Sequence, residues 1–367
     1  MAASFNRPVH GARGLFSIMV YLFHVINSGL SSLPLLQLPT SLFLLRGTEY
    51  GVELFFCISG FVICGTLRRA SSPSAFLEDR VIRIFPALWA TILVIAGIGL
   101  MTDWGEFEGV SAGALSWWLP VNLLALPGIL PVEPIHPAAW SLSYEMCFYL
   151  ACAALWSLRM HRGTRAVWVA APLAALMLAF YPRGIFLLSG VLVAEGMLER
   201  RWIASLARAP LVWLVIFLVS WHEIQMLTLP RHIIMTTLFA WAGDFRLPLA
   251  VLGFMAATLA FAGIAASHGI LGRFLGTRPM QYMGTISYSF YLWHPIVMSG
   301  VKLTMKHSGL AGAAGGGAQA LFLVLALPPS LLAAHASQSL FERKAGSWLR
   351  RRLHHPISLQ SAAANAS

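Results

Sequence analysis

The sequence predicts an all-α, polytopic integral membrane protein, with about ten transmembrane helices and short re-entrant or interfacial helices between them. Three observations carry this expectation. Of the 367 residues, 58% are hydrophobic and only 11% are charged, whereas a soluble globular chain has about 25% charged residues. Mean hydropathy is +0.72, and the apolar excess runs along the whole chain rather than marking one anchor. The basic residues recur as short clusters between apolar runs, as topology signals and headgroup contacts do. The net charge of +11 is therefore read as membrane anchoring, and no nucleic-acid partner is expected.

A spanning helix needs about 20 mostly apolar residues. Such runs lie at 12–30, 50–67, 84–102, 140–158, 166–182, 184–199, 208–222, 247–267, 283–303 and 317–337. Arg7 and Arg13 precede the first run as in a signal peptide, but no clean small-residue cleavage site follows, so it is read as a retained span. The stretches 112–130 and 232–243 are apolar too. They are short or broken by Pro120, Pro127 and Asp244, which suits re-entrant or interfacial segments. GLAGAAGGGA at 309–318 reads as a flexible turn into the last span. Residues 1–345 thus form a single membrane-embedded domain, followed at 346–367 by a tail that is first basic and then Ser/Ala-rich and disordered.

Orientation follows from the arginines and lysines. With the N-terminus placed in the cytoplasm, that side holds Arg7 and Arg13, Arg68, Arg69, Arg80 and Arg83, then Arg159, Arg162 and Arg165. It also holds Arg200, Arg201, Arg208, Arg273 and Arg278, and finally Arg343, Lys344, Arg350, Arg351 and Arg352. That is nineteen of the 25 basic residues, and both termini are then cytoplasmic. Arg46, Arg183, Arg231, Arg246, Lys302 and Lys306 are the other six. The four cysteines, Cys57, Cys64, Cys147 and Cys152, sit inside apolar runs without a CxxC pair. They read as small core residues, and no metal-ligand cluster is present in the sequence.

Ionisable groups inside spans are costly and face a bundle interior or a watery cavity. In RGLFSIMVYLFH, Arg13 and His24 are eleven residues apart. At 100° per residue that is about 20° past three turns, so both share one helix face, roughly 16 Å apart along the axis. Histidine suits proton transfer near neutral pH; the plain alternative is an imidazole bonded to a neighbouring helix. GVELFFCISGFVI puts Glu53 and Ser59 in the second span, with Arg68 and Arg69 after it. In FLEDRVIRIFPALW, Arg80 and Arg83 are three apart and share a helix face. Two guanidiniums on one face suit an anionic ligand with several phosphates, although lipid phosphates would satisfy them as well. AAWSLSYEMCFYL places Glu145 in the fourth span beside Trp140, Tyr144 and Tyr149. TISYSFYLWHP sets Tyr291 and His294 three apart in the ninth. Glu195 is read as structural.

Taken in order, these stretches resemble the membrane-bound acyltransferase type 3 family, bacterial inner-membrane carbohydrate O-acyltransferases. The matches are Arg13 with His24, GVELFFCISGF, Arg80 and Arg83 before IFPALW, WSLSYEMCFYL, ISYSFYLWH and the closing SLFERK with Glu342. Glu53 is a departure, since many members carry aspartate there; the carboxylate is kept. The resemblance implies an acyl-CoA co-substrate, most often acetyl-CoA, held on the cytoplasmic side by Arg80 and Arg83 with Arg68 or Arg69, and no metal. It implies transfer to a hydroxyl of a carbohydrate or glycolipid acceptor, such as an exopolysaccharide or lipopolysaccharide. Catalysis would rest on His24 and Arg13 with Glu145 or Glu53 orienting the imidazole; Trp140, Tyr144, Tyr291, His294 and Ser59 would contact substrate. Membrane lipids and a polysaccharide assembly complex are the partners it suggests. The competing reading is a proton-coupled transporter or flippase, which would use intramembrane His, Glu and Arg equally well; no internal repeat of the transporter kind is visible.

Overall fold

The computed structural model describes residues 6–354 except 39–44, 46, 104, 167, 169, 171, 173–180, 197–200 and 228–245. Helices are the regular structure of the described residues, with a single isolated bridge, Pro127 to Leu130, in place of any sheet. This is what a lipid environment selects, because a helix satisfies its own backbone hydrogen bonds. The principal helices are α1 (Arg7–Ile26), α2 (Gly51–Leu67), α3 (Pro73–Thr102), α4 (Ala112–Leu123), α5 (Ala139–Arg162) and α6 (Ile185–Ala194). Then follow α7 (Arg201–Leu206), α8 (Pro210–Leu227), α9 (Arg246–Ala265), α10 (Gly269–Leu275), α11 (Arg278–His307), α12 (Ala318–Ser337) and α13 (Gly346–His354).

Among the described residues five helical segments are long and apolar enough to cross a membrane, namely Arg7–Ile26, Gly47–Leu67, Pro73–Thr102, Leu247–Ala265 and Gly315–Leu353. The protein is thus an all-helical membrane protein, with five such helices among the described residues where the sequence suggests about ten. The shortfall has a physical pattern. The 24-residue α5 and the 30-residue α11 are long, but they carry Ser141, Glu145, Ser287, Ser289 and His294. The apolar stretches Pro182–Ala194 and Pro210–His222 are short. The expected span at 166–182 falls largely outside the described residues, and the segment 232–243 falls wholly outside them.

Helix ends are set locally. Asn6 caps α1 by accepting from Val9 N–H (3.0 Å) and donates to Ala265 O (2.9 Å), pinning the start of α1 to the end of α9. Ser72 caps α3 and Ser111 caps α4 in the same manner. Between helices, close packing relies on small residues, as expected where lipid removes the hydrophobic drive. A Cβ on Gly284 of α11 would lie 2.1 Å from His10 O of α1. A Cβ on Gly60 of α2 would lie 1.8 Å from Leu187 O of α6, and one on Gly190 would lie 1.9 Å from Cys57 O. Glycine is required at both crossings. The expected re-entrant stretch holds α4, with Pro120 inside it, and a return segment. Trp118 Nε1 donates to Glu133 O (2.7 Å), and Asn122 Oδ1 accepts Ile135 N–H (2.8 Å), holding that segment down. After α12, Gln338–Ala345 widens into a π-helix before α13. The basic stretch of the tail is therefore helical as far as residue 354, and the rest of the tail lies outside the described residues.

Candidate active site

The N-terminal half of α1, the middle of α2, the start of α3, the start of α5 and the middle of α11 enclose one cavity of about 60 Å³, room for a few water-sized molecules. Arg13, Arg80 and Arg83 reach it from α1 and α3; Ser59, Glu145 and Tyr149 line it from α2 and α5; Ser287, Tyr288 and Tyr291 close it from α11. Three guanidiniums and a carboxylate in an apolar bundle are expensive unless each is bonded. Glu145 Oε1 accepts from Ser59 Oγ (2.7 Å) and from Tyr149 OH. Arg13 Nε donates to Ser287 Oγ at 3.2 Å. Arg80 donates to Asp79 at 2.5 Å, and its guanidinium sits over the Tyr149 ring, 5.9 Å from the centroid. Asp79 in turn accepts from Arg350 of α13 at 2.8 Å. Arg83 makes no hydrogen bond to another described residue. At the far end Tyr291 OH pairs with Ser141 Oγ at 2.9 Å.

The π-helical turn brings in a further acid. Its wider winding presents Glu342, whose Oε1 accepts from Ser289 Oγ at 2.6 Å. Arg83, Glu145 and Glu342 all lie close enough to Arg13 for their charges to act on it. Glu342 belongs to the closing SLFERK stretch of the sequence, yet only the tertiary structure sets it against α11.

The remaining residues singled out in the sequence fall elsewhere. Glu53, fully buried, accepts from Arg183 Nε (2.6 Å) and Trp221 Nε1 (3.1 Å). The Arg183 guanidinium stacks on Trp140, 4.3 Å from the ring centroid, and Tyr144 packs edge-on to both Trp140 and Tyr181. Neither Glu53 nor Glu145 bonds His24. The ring neighbours of His24 are instead Phe23 and His294, with centroids 5.4 and 5.2 Å away. Arg68 is exposed and pairs with Glu195 at 2.7 Å; Arg69 is exposed as well. The structure therefore gathers Arg13, Ser59, Arg80, Arg83, Glu145 and Tyr291 on one cavity. It sets His24 with His294 in a second group, Glu53, Trp140 and Tyr144 in a third, and leaves Arg68 and Arg69 at the surface.

Sequence reasoning passed over Arg183, His136, Ser141, Ser287 and Tyr288. Arg183 did carry a signal, as one of six basic residues off the majority side. His136, lone in a loop, carried none. Among the described residues no cluster of His, Cys, Asp or Glu could hold a metal ion.

An all-helical membrane protein with an arginine-lined internal cavity and buried imidazoles is the class that the fold and site define. Residues 8–335 match the Acyl_transf_3 family, described as an acyltransferase domain, and the chain belongs to that family. It is 29% identical over 285 residues, 72% of this chain and 81% of the relative, to exopolysaccharide production protein ExoZ of Rhizobium meliloti (strain 1021). It is 25% identical over 279 residues, 68% of this chain and 71% of the relative, to nodulation protein 10 of Rhizobium leguminosarum bv. viciae. Acyltransferase MdmB of Streptomyces mycarofaciens is 32% identical over 133 residues, 35% of this chain and 33% of that one. No solved structure matches the chain.

Proposed function

We propose that this acyltransferase moves an acyl group, acetyl, from acyl-CoA to a hydroxyl of a carbohydrate acceptor, a lipid-linked or exported surface polysaccharide. The observation that carries the proposal is the cavity itself. Arg13, Arg80 and Arg83 converge on it, and forked guanidiniums are the side chains that bind phosphates with both charge and shape. The CoA phosphates would sit at that end, in the cytoplasm, with Arg83 the cation most available to them. Family membership supports acyl transfer, and the likeness to a protein named for exopolysaccharide production supports the acceptor class. The topology that goes with this is ten spans with both termini on the cytoplasmic side of a bacterial inner membrane, argued from the basic-residue split.

A sugar hydroxyl is a poor nucleophile until a base takes its proton. His24, half-buried and outside the cavity lining, with its ring beside His294, is the proposed base. The acceptor would approach past Trp140 and Tyr144, whose rings suit a sugar face. Purified, monodisperse His24→Ala protein tests this through acyl-CoA binding and transfer of labelled acyl groups to glycan. Donor binding should persist while transfer falls about 10²–10⁴-fold. Transfer within a fewfold of wild type would reduce His24 to a packing residue. Wild-type protein that binds no acyl-CoA and labels no glycan would favour the transporter reading instead.

A further inference from the structure

Three imidazoles meet inside the bundle, from α1, from the segment before α5 and from α11, and their hydrogen bonds differ in a way that assigns protons. A backbone carbonyl only accepts, so a ring nitrogen facing one must carry hydrogen. His136 Nε2 lies 2.7 Å from Leu292 O and therefore donates, which leaves Nδ1 bare to accept Ala138 N–H at 3.0 Å. Both nitrogens of His136 are committed, and it pins the segment before α5 to α11. His294 is half committed. Its Nδ1 lies 2.8 Å from Phe290 O and donates, so Nε2 holds only a lone pair. That Nε2 is buried, in a residue 1% exposed, and has no partner among the described residues.

A buried lone pair without a donor is unfavourable, and among the described residues few donors surround this one. The Tyr21 ring is near, but its hydroxyl is spent on Leu323 O at 3.2 Å. The Tyr291 hydroxyl is paired with Ser141 Oγ. Trp293 Nε1 is also unpartnered, but Trp293 packs into the cluster with Phe85 and Leu88, away from Tyr21 and Phe290. His24 is left, with no hydrogen bond to a described residue and its ring centroid 5.2 Å from that of His294, the planes inclined at 49°. An N–H···N bond of about 3 Å between two imidazoles sets their centroids roughly 5 Å apart, so a turn of one ring completes the bond.

We propose that His294 is the positioning residue for His24: its bare Nε2 accepts one His24 ring N–H, which leaves the other His24 nitrogen bare and able to act as a base. The proposal rests on the assignment of His24 as the base of acyl transfer. When the free nitrogen of His24 takes the hydroxyl proton, the acceptor oxygen bonds to the thioester carbonyl carbon. The C–S bond then breaks, and the same proton passes from His24 to the departing CoA sulfur. The transient imidazolium is held by a bond to His294 that becomes charge-assisted. A neutral imidazole thus takes the place of the triad carboxylate without burying a second charge.

The test uses the full-length protein in lipid nanodiscs with two replacements, His294→Leu, which keeps volume but no acceptor, and His294→Gln, which keeps an acceptor. His294→Leu should lower kcat about ten- to a hundredfold, the loss of one charged-group hydrogen bond, with KM for acyl-CoA unchanged. His294→Gln should recover most of it. In a His24→Ala background, adding His294→Leu should cost nothing further. ¹⁵N spectra of histidine-labelled protein should show one tautomer of His24 in wild type and a mixture in the variants that lack an acceptor at 294. Unchanged kcat in His294→Leu, equal impairment in His294→Gln, or an unaltered His24 tautomer would each overturn the assignment. If wild-type protein transfers no acyl label, the enzymatic reading fails, while the tautomer measurement still decides whether His294 orients His24.

Discussion

Glu53 and Glu145 are both carboxylates in apolar helices, and the structure treats them in opposite ways. Glu53 is neutralised: Arg183 bonds it at 2.6 Å, Trp221 bonds it at 3.1 Å, and Trp140 covers the guanidinium. Among the described residues Glu145 is held by hydroxyls alone, those of Ser59 and Tyr149, and it faces the cavity shared with Arg13, Arg80 and Arg83. An acid with a dedicated cation is committed to the fold. An acid held by hydroxyls keeps its charge available to whatever enters the cavity. Intramembrane acidity is therefore a poor guide to function until the counter-charge is known.

The sharpest way to break this comparison is to remove Glu53. Glu53→Ala takes the bonded carboxylate from Arg183, whose side chain is 21% exposed, and losing one partner of a largely buried pair costs up to about 3–5 kcal/mol. Thermal unfolding in detergent should show a large drop, and Glu53→Leu combined with Arg183→Met should recover much of it. Unchanged thermal stability in Glu53→Ala would deny the structural role. Next in size are the cavity cations. Arg80→Ala and Arg83→Ala should each weaken acyl-CoA binding by about 1.5–3 kcal/mol, roughly ten- to a hundredfold. Arg83→Lys should be impaired too, because lysine restores charge without the fork. Wild-type affinity in the double alanine variant would remove the cavity as the donor site. The smallest effect on folding is expected at Glu145. Glu145→Gln keeps an oxygen acceptor for Ser59 and Tyr149 and strands no dedicated cation, so unfolding should shift by no more than about 1 kcal/mol. A destabilisation as large as that of Glu53→Ala would erase the distinction.

The cavity was largely legible in the sequence. Arg13, Ser59, Arg80, Arg83 and Glu145 stand out because a polar residue in an apolar run has few reasons to be there. The i, i+3 spacing of Arg80 and Arg83 fixed their shared face. Tyr288 and Ser287 were not legible, since α11 offers many polar side chains and only its docking against α1 and α3 selects among them. Expecting a carboxylate to orient His24 transferred a familiar constellation to residues that the bundle keeps apart.

By itself the sequence determined that the chain is helical and membrane-embedded, and which residues sit inside apolar helices. Hydropathy and the 100° helical step are local properties, readable wherever about 20 residues share them. Only the tertiary structure decided which charges are neutralised and which imidazole nitrogen is bare. Arg183 meets Glu53 across 130 positions of chain, and His24 meets His294 on the same α1–α11 contact that Gly284 closes nearer the helix starts, at His10. Ion pairs and tautomers form between segments that approach only once the bundle has packed, and no local pattern records that approach.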